Sequence, residues 1–149
     1  MSAPIYMLDT DITIFLLRGL KSRHRIARQK AEAIAARCRQ SLDNGAKVGP
    51  SAITVSELEN GAQKSGDYEA EIAAMRKILL PFTHFNYDCT ACSVQYGVVR
   101  HDLTKRGVPI GPLDTMIAAH ALAVDATLVT NNLAHFGRVS GLKLENWIR

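Results

Sequence analysis

Two carboxylates stand close together near the start of the chain, in the stretch IYMLDTDIT at residues 5–13. Asp9 directly follows an apolar run, and Asp11 comes two residues later. Such a pair can be a nucleophile that attacks phosphorus with its acid–base partner, one corner of a metal site, or a helix cap with a second charge beside it. The three alternatives require different partners elsewhere in the chain, so the other polar residues decide between them.

Further polar residues interrupt segments in which a protein core would favour apolar side chains. Glu57 stands inside TVSEL, Asp114 opens an alanine-rich segment, and the amides Asn131 and Asn132 follow the apolar run ATLVT. Each acid also has an ordinary explanation, because Asp9 can cap a helix, Asp114 can lie in a first helical turn and Glu57 can face solvent. Taken one at a time, the two kinds of explanation are equally good.

The charges around these acids favour a functional explanation. No lysine or arginine lies within four residues of Asp9, Glu57 or Asp114, so local ion pairs cannot compensate the three carboxylates. Acidic side chains are rarely buried unless they are paired or bound to a metal. The sequence therefore predicts a convergent acidic cluster, and oxygen ligands of this kind suit a hard cation such as Mg²⁺ or Mn²⁺.

Apolar runs and helix signals alternate along the chain and predict the elements that position these residues. Strands are predicted at 4–8, 48–54, 82–85, 126–130 and 142–147, and helices at 10–20, 21–42, 54–65, 67–80, 88–106 and 111–124. This alternation predicts the α/β class: a three-layer α/β/α sandwich with a central, mainly parallel sheet of four or five strands, in one domain over residues 1–149. Ligands bind at the carboxyl ends of such strands, where Asp9 and the residues after Thr130 are placed.

The composition narrows the class of protein. At 149 residues the chain can bury its own core, and no apolar run approaches the ~20 residues that a membrane span needs. Three cysteines do not make a disulfide framework and the first residues lack a signal-peptide pattern, so a cytoplasmic protein with no membrane partner is predicted. Residues 1–47 contain nine Lys or Arg and four Asp or Glu, which indicates either a surface for a polyanion or a solvated helix face.

One interpretation of the opening stretch is a phosphatase. DTDIT fits the DxDxT pattern of the haloacid-dehalogenase-like phosphatases, in which Asp9 would attack phosphorus and Asp11 would be the acid–base partner. Those enzymes also need a lysine and a later acidic pair that holds Mg²⁺. Asp114 has no acidic neighbour closer than Asp102 and Asp125, so this match ends after five residues.

A second resemblance extends over almost the whole chain. Four segments carry it, in order: MLDTDI at 7–12, SAITVSELENGAQKS at 51–65, GVPIGPLDTMIAAHA at 107–121 and LVTNNLAHFGRVSGLKLENW at 128–147. In these segments the sequence resembles the PIN-domain ribonucleases, and most closely the VapC-like toxins of bacterial toxin–antitoxin pairs. The last two segments are the most specific, because a Gly-Pro-x-Asp-x-Met-Ile-Ala-x-His-Ala block is followed by Thr-Asn-Asn, a His-Phe pair and a Glu-Asn-Trp ending.

The resemblance implies a role for each polar position. Asp9, Glu57 and Asp114 correspond to the catalytic, metal-binding acids, and the ion implied is Mg²⁺, with Mn²⁺ expected to substitute. The family's fourth acidic position falls on Asn132, which leaves three carboxylates instead of four and should weaken a second metal ion more than the first. The Asn132 amide is expected to position water or phosphate. The supporting residues are Thr130, Asn131 and Asp11.

The function implied is endoribonuclease action: hydrolysis of phosphodiester bonds in a structured RNA, such as a tRNA, to inhibit translation. In-line attack would leave a 5′-phosphate and a 3′-hydroxyl. His120, six residues after Asp114, is expected to pack or to bond locally rather than to act as a base. The cations that could bind RNA are Arg18, the basic helix over 21–39, Arg100, Lys105, Arg106 and Arg138.

The resemblance also implies partners. A VapB-like antitoxin would cover the early helices with its C-terminal segment and place a basic side chain among the acids, and the toxin itself would form a homodimer. A non-catalytic PIN-like module that binds RNA or protein is the last alternative. The intact acids argue against it, because a binding module has no need of an uncompensated acidic cluster.

Overall fold

The computed structural model describes residues 3–148, which alternate between short strands and helices. In chain order the elements are β1 (Ile5–Leu8), α1 (Thr10–Gly19), α2 (Arg25–Asp43), β2 (Lys47–Pro50), α3 (Ala52–Lys64), α4 (Tyr68–Leu79), α5 (Ala91–Lys105), α6 (Pro112–Ala123), β3 (Thr127–Val129), α7 (Leu133–Phe136) and β4 (Lys143–Glu145). Within residues 3–148, no helix combines the length and the apolar character that crossing a membrane requires. The predicted domain limits, 1–149, include residues outside this range and stay a prediction.

The four strands form one parallel sheet in the order β2-β1-β3-β4. The central strand β1 pairs with both neighbours, so Leu8 stands opposite Pro50 on one side and Val129 on the other. The predicted class and sheet are therefore confirmed, with four strands. The strand predicted at 82–85 is wrong: Phe85 makes only an isolated bridge to Ser51.

Side chains that alternate along β1 separate the core into two clusters, one on each face of the sheet. Met7 belongs to the cluster that α5, α6 and α7 cover, whereas the next residue, Leu8, belongs to the cluster that α1 and α2 cover. Successive side chains of a strand point to opposite faces, so a short apolar run can serve both. The sheet is thus enclosed between two helical layers, as the sequence predicts.

Several predicted boundaries differ from the structure, and two of the differences lie at helix starts. The strand predicted at 48–54 ends at Pro50, because Ser51 caps α3: its hydroxyl accepts a hydrogen bond from the Ile53 N–H at 3.0 Å. The basic helix begins at Arg25 rather than residue 21, with His24 as its cap. The sequence does not mark this boundary, because small polar residues such as serine are common both in strands and at helix caps.

Candidate active site

Asp9 lies directly after the central strand and begins α1. Its Oδ1 accepts a hydrogen bond from the Ile12 N–H at 2.8 Å, so the residue is a helix cap as well as a candidate ligand. The side chain is buried, and burial raises the pKa of Asp9 to about 7. The Thr130 hydroxyl and the Ile12 N–H oppose that rise in pKa, while the nearby charges of Asp11 and Asp114 add to it.

Asp114 lies in the first turn of α6, where the helix dipole favours a carboxylate. Burial is the main cause that raises its pKa, and the charge of Asp11 adds to this rise. Its Oδ2 is 3.8 Å from Nδ1 of His135, which is longer than a hydrogen bond. A protonated His135 therefore acts on Asp114 through its charge and lowers the pKa of that carboxyl.

Glu57 on α3 is held by the start of α1. The Thr10 hydroxyl donates a hydrogen bond to Glu57 Oε1 at 2.6 Å, and the same hydroxyl lies 3.0 Å from that of Thr54. Because Thr10 follows Asp9 in the chain, this contact ties the second candidate acid to the first. Glu57 also lines a groove of about 520 Å³ between α1, α3 and α4.

The residues after β3 form hydrogen bonds that fix their side chains. The Thr130 Oγ1 accepts a hydrogen bond from the Asn132 N–H at 2.9 Å. Oδ1 of Asn132 accepts one from the N–H of His135 at 3.3 Å and thereby caps the short helix α7. Asn131 Oδ1 accepts one from Nδ2 of Asn146 at 2.9 Å. Both amides therefore lie beside the site with their oxygens already engaged.

The structure brings the predicted acids to one edge of the sheet, but they do not all converge on one point. Asp9, Asp11 and Asp114 are near enough for their charges to act on one another, while Glu57 is turned toward Thr10. In residues 3–148, no group of three or more His, Cys, Asp or Glu side chains is arranged to hold a metal ion. The donors themselves fit a hard cation, because they are carboxylates whose mutual repulsion such an ion would relieve.

The sequence analysis does not predict two contacts at the site. Thr10 holds Glu57 and His135 faces Asp114, although neither residue was a candidate. The sequence feature that could have pointed to His135 is the His-Phe pair that follows the Asn-Asn segment. His120 packs as expected, but its bond is not local, since Nδ1 lies 2.8 Å from Oγ of Ser51.

Comparison with known proteins gives matches over nearly the whole chain. The family model of the PIN domain matches residues 6–142. The tRNA(fMet)-specific endonuclease VapC of Shigella flexneri is 35% identical over 142 residues, covering 95% of this chain and 97% of the relative. Ribonuclease VapC1 of Haemophilus influenzae strain R2866 is 38% identical over 145 residues, covering 97% and 99%.

Solved structures agree in fold over the same length. VapBC-1 from nontypeable Haemophilus influenzae superposes with a TM-score of 0.81 at 36% identity, covering 97% of this chain and 99% of that chain. VapBC2 from Rickettsia felis, bound to a DNA fragment from its promoter, gives 0.81 at 31% identity, covering 96% and 98%. These matches give no support to the phosphatase interpretation of Asp9 and Asp11. The chain therefore belongs to the PIN-domain family, as the resemblance of its four segments implies.

Proposed function

We propose that this protein is a metal-dependent endoribonuclease and the toxin of a toxin–antitoxin pair, which hydrolyses phosphodiester bonds in a structured RNA such as a tRNA. One observation mainly supports the proposal: in a PIN-domain chain, Asp9 follows the central strand and lies near enough to Asp114 for the charge of Asp114 to raise the pKa of Asp9. Relatives of matching length are named ribonucleases, and one of them a tRNA endonuclease. Inhibition of translation in the cytoplasm would be the consequence of such cleavage.

Asp9, Glu57 and Asp114 would hold the ion, Mg²⁺ with Mn²⁺ as a substitute. When bound, such an ion lowers the pKa of water and offsets negative charge on phosphate oxygens. Asp9 must give up its proton for this, and its raised pKa places that loss near neutral pH. The Thr10 hydroxyl keeps Glu57 beside Asp9.

Asn132 would position the phosphate rather than bind metal. Its oxygen already accepts from the His135 N–H, and its NH₂ group is a donor suited to a phosphate oxygen. Because residue 132 is an amide, the site has one negative charge fewer, which should weaken the binding of a second metal ion. Asp11, which is exposed, would act through its charge on the other two aspartates.

Basic residues beside the site would bind the RNA backbone. Arg18 of α1 lines a pocket together with Asp11, and it is exposed. Other predicted cations are engaged elsewhere: Arg106 pairs with Asp102 at 2.7 Å, and Arg138 donates to the backbone carbonyl of Pro109 at 3.1 Å. The RNA surface is therefore proposed on the α1–α2 side.

The groove of about 520 Å³ is the proposed site for a VapB-like antitoxin. Its apolar lining residues are Ile14, Leu17, Leu58, Ala62 and Met75, with Arg18, Lys21, Lys64, Glu57 and Glu71 among its polar ones. An amphipathic segment could bury its apolar face there and bring a basic side chain to Glu57. Both similar solved structures described above are of VapBC proteins. A homodimer of the toxin is proposed from the family resemblance alone.

An RNA cleavage assay tests the proposed activity. The purified protein is incubated with total RNA in Mg²⁺, Mn²⁺ or EDTA, beside Asp9→Asn, Asp11→Asn and Asp114→Asn variants. Asp125→Asn is the matched control, because Asp125 follows α6, is exposed and has a φ of 56°, which asparagine tolerates. Cleavage in metal by the wild type and the control, but not by Asp9→Asn or Asp114→Asn, is the expected result.

Other outcomes separate the alternatives. Intact RNA with wild-type protein in metal, or normal cleavage by Asp114→Asn, would overturn the nuclease assignment. Tight RNA binding without metal-dependent cleavage would favour a binding module. Phosphatase activity on small esters, lost in both the Asp9 and the Asp11 variants, would favour the haloacid-dehalogenase-like alternative.

A further inference from the structure

A small pocket adjoins the candidate acids on the side of α1 and the C-terminal residues. It has a volume of about 280 Å³ and is lined by Asp11, Ile12, Phe15, Asn131, Asn132 and Ile148. A second pocket of about 270 Å³ shares Asp11 and Phe15 and continues to Arg18 and Ser22. Each lies just below the ~300–1,000 Å³ range of small-ligand sites.

Hydrogen bonds from the backbone fix which way the Asn131 amide points. The Ile148 N–H donates to Asn146 Oδ1 at 3.0 Å, so the other end of the Asn146 amide must be its NH₂ group. That NH₂ donates to Asn131 at 2.9 Å, and the accepting atom of Asn131 must therefore be its oxygen. The NH₂ group of Asn131 is left without a hydrogen-bond partner among residues 3–148.

The neighbouring amide is oriented in the same way. Oδ1 of Asn132 accepts from the backbone N–H of His135, so its NH₂ group is also left over within the described part of the chain. Two amide donors thus line the pocket, and the exposed carboxylate of Asp11 lines it as an acceptor. A ligand that fits must offer acceptor groups to the amides and a donor group to the carboxylate.

The Phe15 ring supplies an aromatic surface at the same place. It is half-buried and packs against the core cluster that contains Leu16 and Trp147, which restricts its movement. It lines both pockets, so part of the ring is accessible from each. Proteins that bind single-stranded RNA commonly stack bases on an aromatic side chain held in this way.

We infer that the pocket binds one unpaired nucleobase of the RNA, stacked on Phe15, with a base carbonyl accepting from the Asn131 NH₂ group and a base amino group donating to Asp11. Only guanine and cytosine carry both an exocyclic carbonyl and an exocyclic amino group. Adenine would have to offer a ring nitrogen in place of a carbonyl, and uracil its N3–H in place of an amino group, so each of these two bases keeps only one of the two proposed exocyclic contacts. This inference rests on the proposed function, because it names a base next to the cleaved bond.

The charges around the pocket agree with a nucleotide that enters base first. Asp11 would repel a phosphate, whereas Asn132, which lines the same pocket, offers a donor. Arg18, in the adjoining pocket, provides a positive charge for the next phosphate along the strand. The base would thus lie in the pocket, while its two phosphates would face the Asn132 NH₂ group and the positive charge of Arg18.

Binding of short oligonucleotides in EDTA tests the inference without cleavage. Fluorescently labelled cytidine, adenosine and uridine tetranucleotides are titrated with wild-type protein and with Phe15→Leu and Asn131→Ala variants, by anisotropy. The wild type is expected to prefer the cytidine oligonucleotide. Phe15→Leu should weaken binding of all three by about tenfold, since loss of one base–aromatic stack is worth about 1–3 kcal/mol. Asn131→Ala should abolish most of the preference for cytidine over adenosine.

Phe82→Leu is the matched control, because Phe82 packs against the same core cluster but does not line the pocket. Wild-type affinity in Phe15→Leu, or an unchanged base preference in Asn131→Ala, would overturn the inference when thermal unfolding shows that both variants fold. Cleavage of total RNA in Mg²⁺ is measured in parallel. Normal cleavage with no base preference would refute the pocket alone, whereas absent cleavage would refute the proposed function.

Discussion

The Ser51 hydroxyl oxygen lies 2.8 Å from Nδ1 of His120, in the interior of the protein. Ser51 caps α3 and His120 belongs to the last turns of α6, so the bond joins the two helices that carry Glu57 and Asp114. Both acids lie six residues from the bonded pair along their own helix. The contact therefore links the two helices that carry the acids.

Ser51→Ala should lower the free energy of unfolding by about 1–3 kcal/mol, because it leaves the buried His120 Nδ1 without its partner. Mg²⁺ binding should weaken as well if the bond positions the two helices. Urea unfolding and calorimetric titration measure the two effects. The Ser51→Ala/His120→Leu double variant is the control, since replacement of both partners by apolar groups is expected to cost less than the sum of the single changes. Additive effects would contradict a direct bond.

Thr10→Val should weaken Mg²⁺ binding by about tenfold, because loss of a hydrogen bond that orients a ligand typically costs ten- to a hundredfold in affinity. Valine keeps the shape and the branching of threonine but cannot donate to Glu57 Oε1. Calorimetric titration with Mg²⁺ measures the change. Thr104→Val on the exposed part of α5 is the control. Unchanged affinity in Thr10→Val would show that the hydroxyl does not hold Glu57 for the ion.

Asn132→Asp should increase Mg²⁺ affinity by about tenfold, because the number of charged ligands tunes the affinity of such sites. A carboxylate oxygen can still accept from the His135 N–H, so the cap of α7 is kept and only the charge changes. Isothermal titration at constant ionic strength measures the effect. Equal affinities of the variant and the wild type would mean that residue 132 lies too far from the ion to act on it.

Stability in EDTA should fall as the pH rises from about 4 to 7, because Asp9 binds its proton more tightly in the folded protein than in the unfolded chain. The folded pKa is about 7, so the unfolded chain loses its proton first, and the slope approaches ~1.4 kcal/mol per pH unit. Asp114, whose pKa is also raised, contributes with the same sign.

Urea unfolding at a series of pH values, for the wild type and Asp9→Asn, measures this dependence. Asp9→Asn should flatten the profile, because its amide does not titrate and can still accept from the Ile12 N–H. His120, whose pKa is lowered by burial, acts with the opposite sign, so the difference between the two proteins is the informative quantity. Parallel profiles would contradict the raised pKa of Asp9.

The backbone of the site could be predicted from sequence, while its side-chain contacts could not. Asp9 follows an apolar run and Asp114 follows a Gly-Pro helix start, and both signals are local. The bond from Thr10 to Glu57 and the contact of His135 with Asp114 join residues that are distant in sequence. Such pairs depend on how helices pack, which no local pattern encodes. The orientation of the Asn131 amide depends on a chain of bonds that begins at Ile148.

The order of the strands determines when, during synthesis, the candidate active site can assemble. β1 precedes the other strands in the chain, yet one of its two neighbours in the sheet, β3, follows six helices, so Leu8 cannot pair with Val129 until residues 127–129 have been made. Asp114 and the two amides also belong to the late part of the chain. A growing chain on the ribosome therefore lacks the assembled set of acids until most of it has emerged. Each new copy would therefore become competent only after residues 127–132 have been made and have packed beside β1, when an antitoxin already present could meet it.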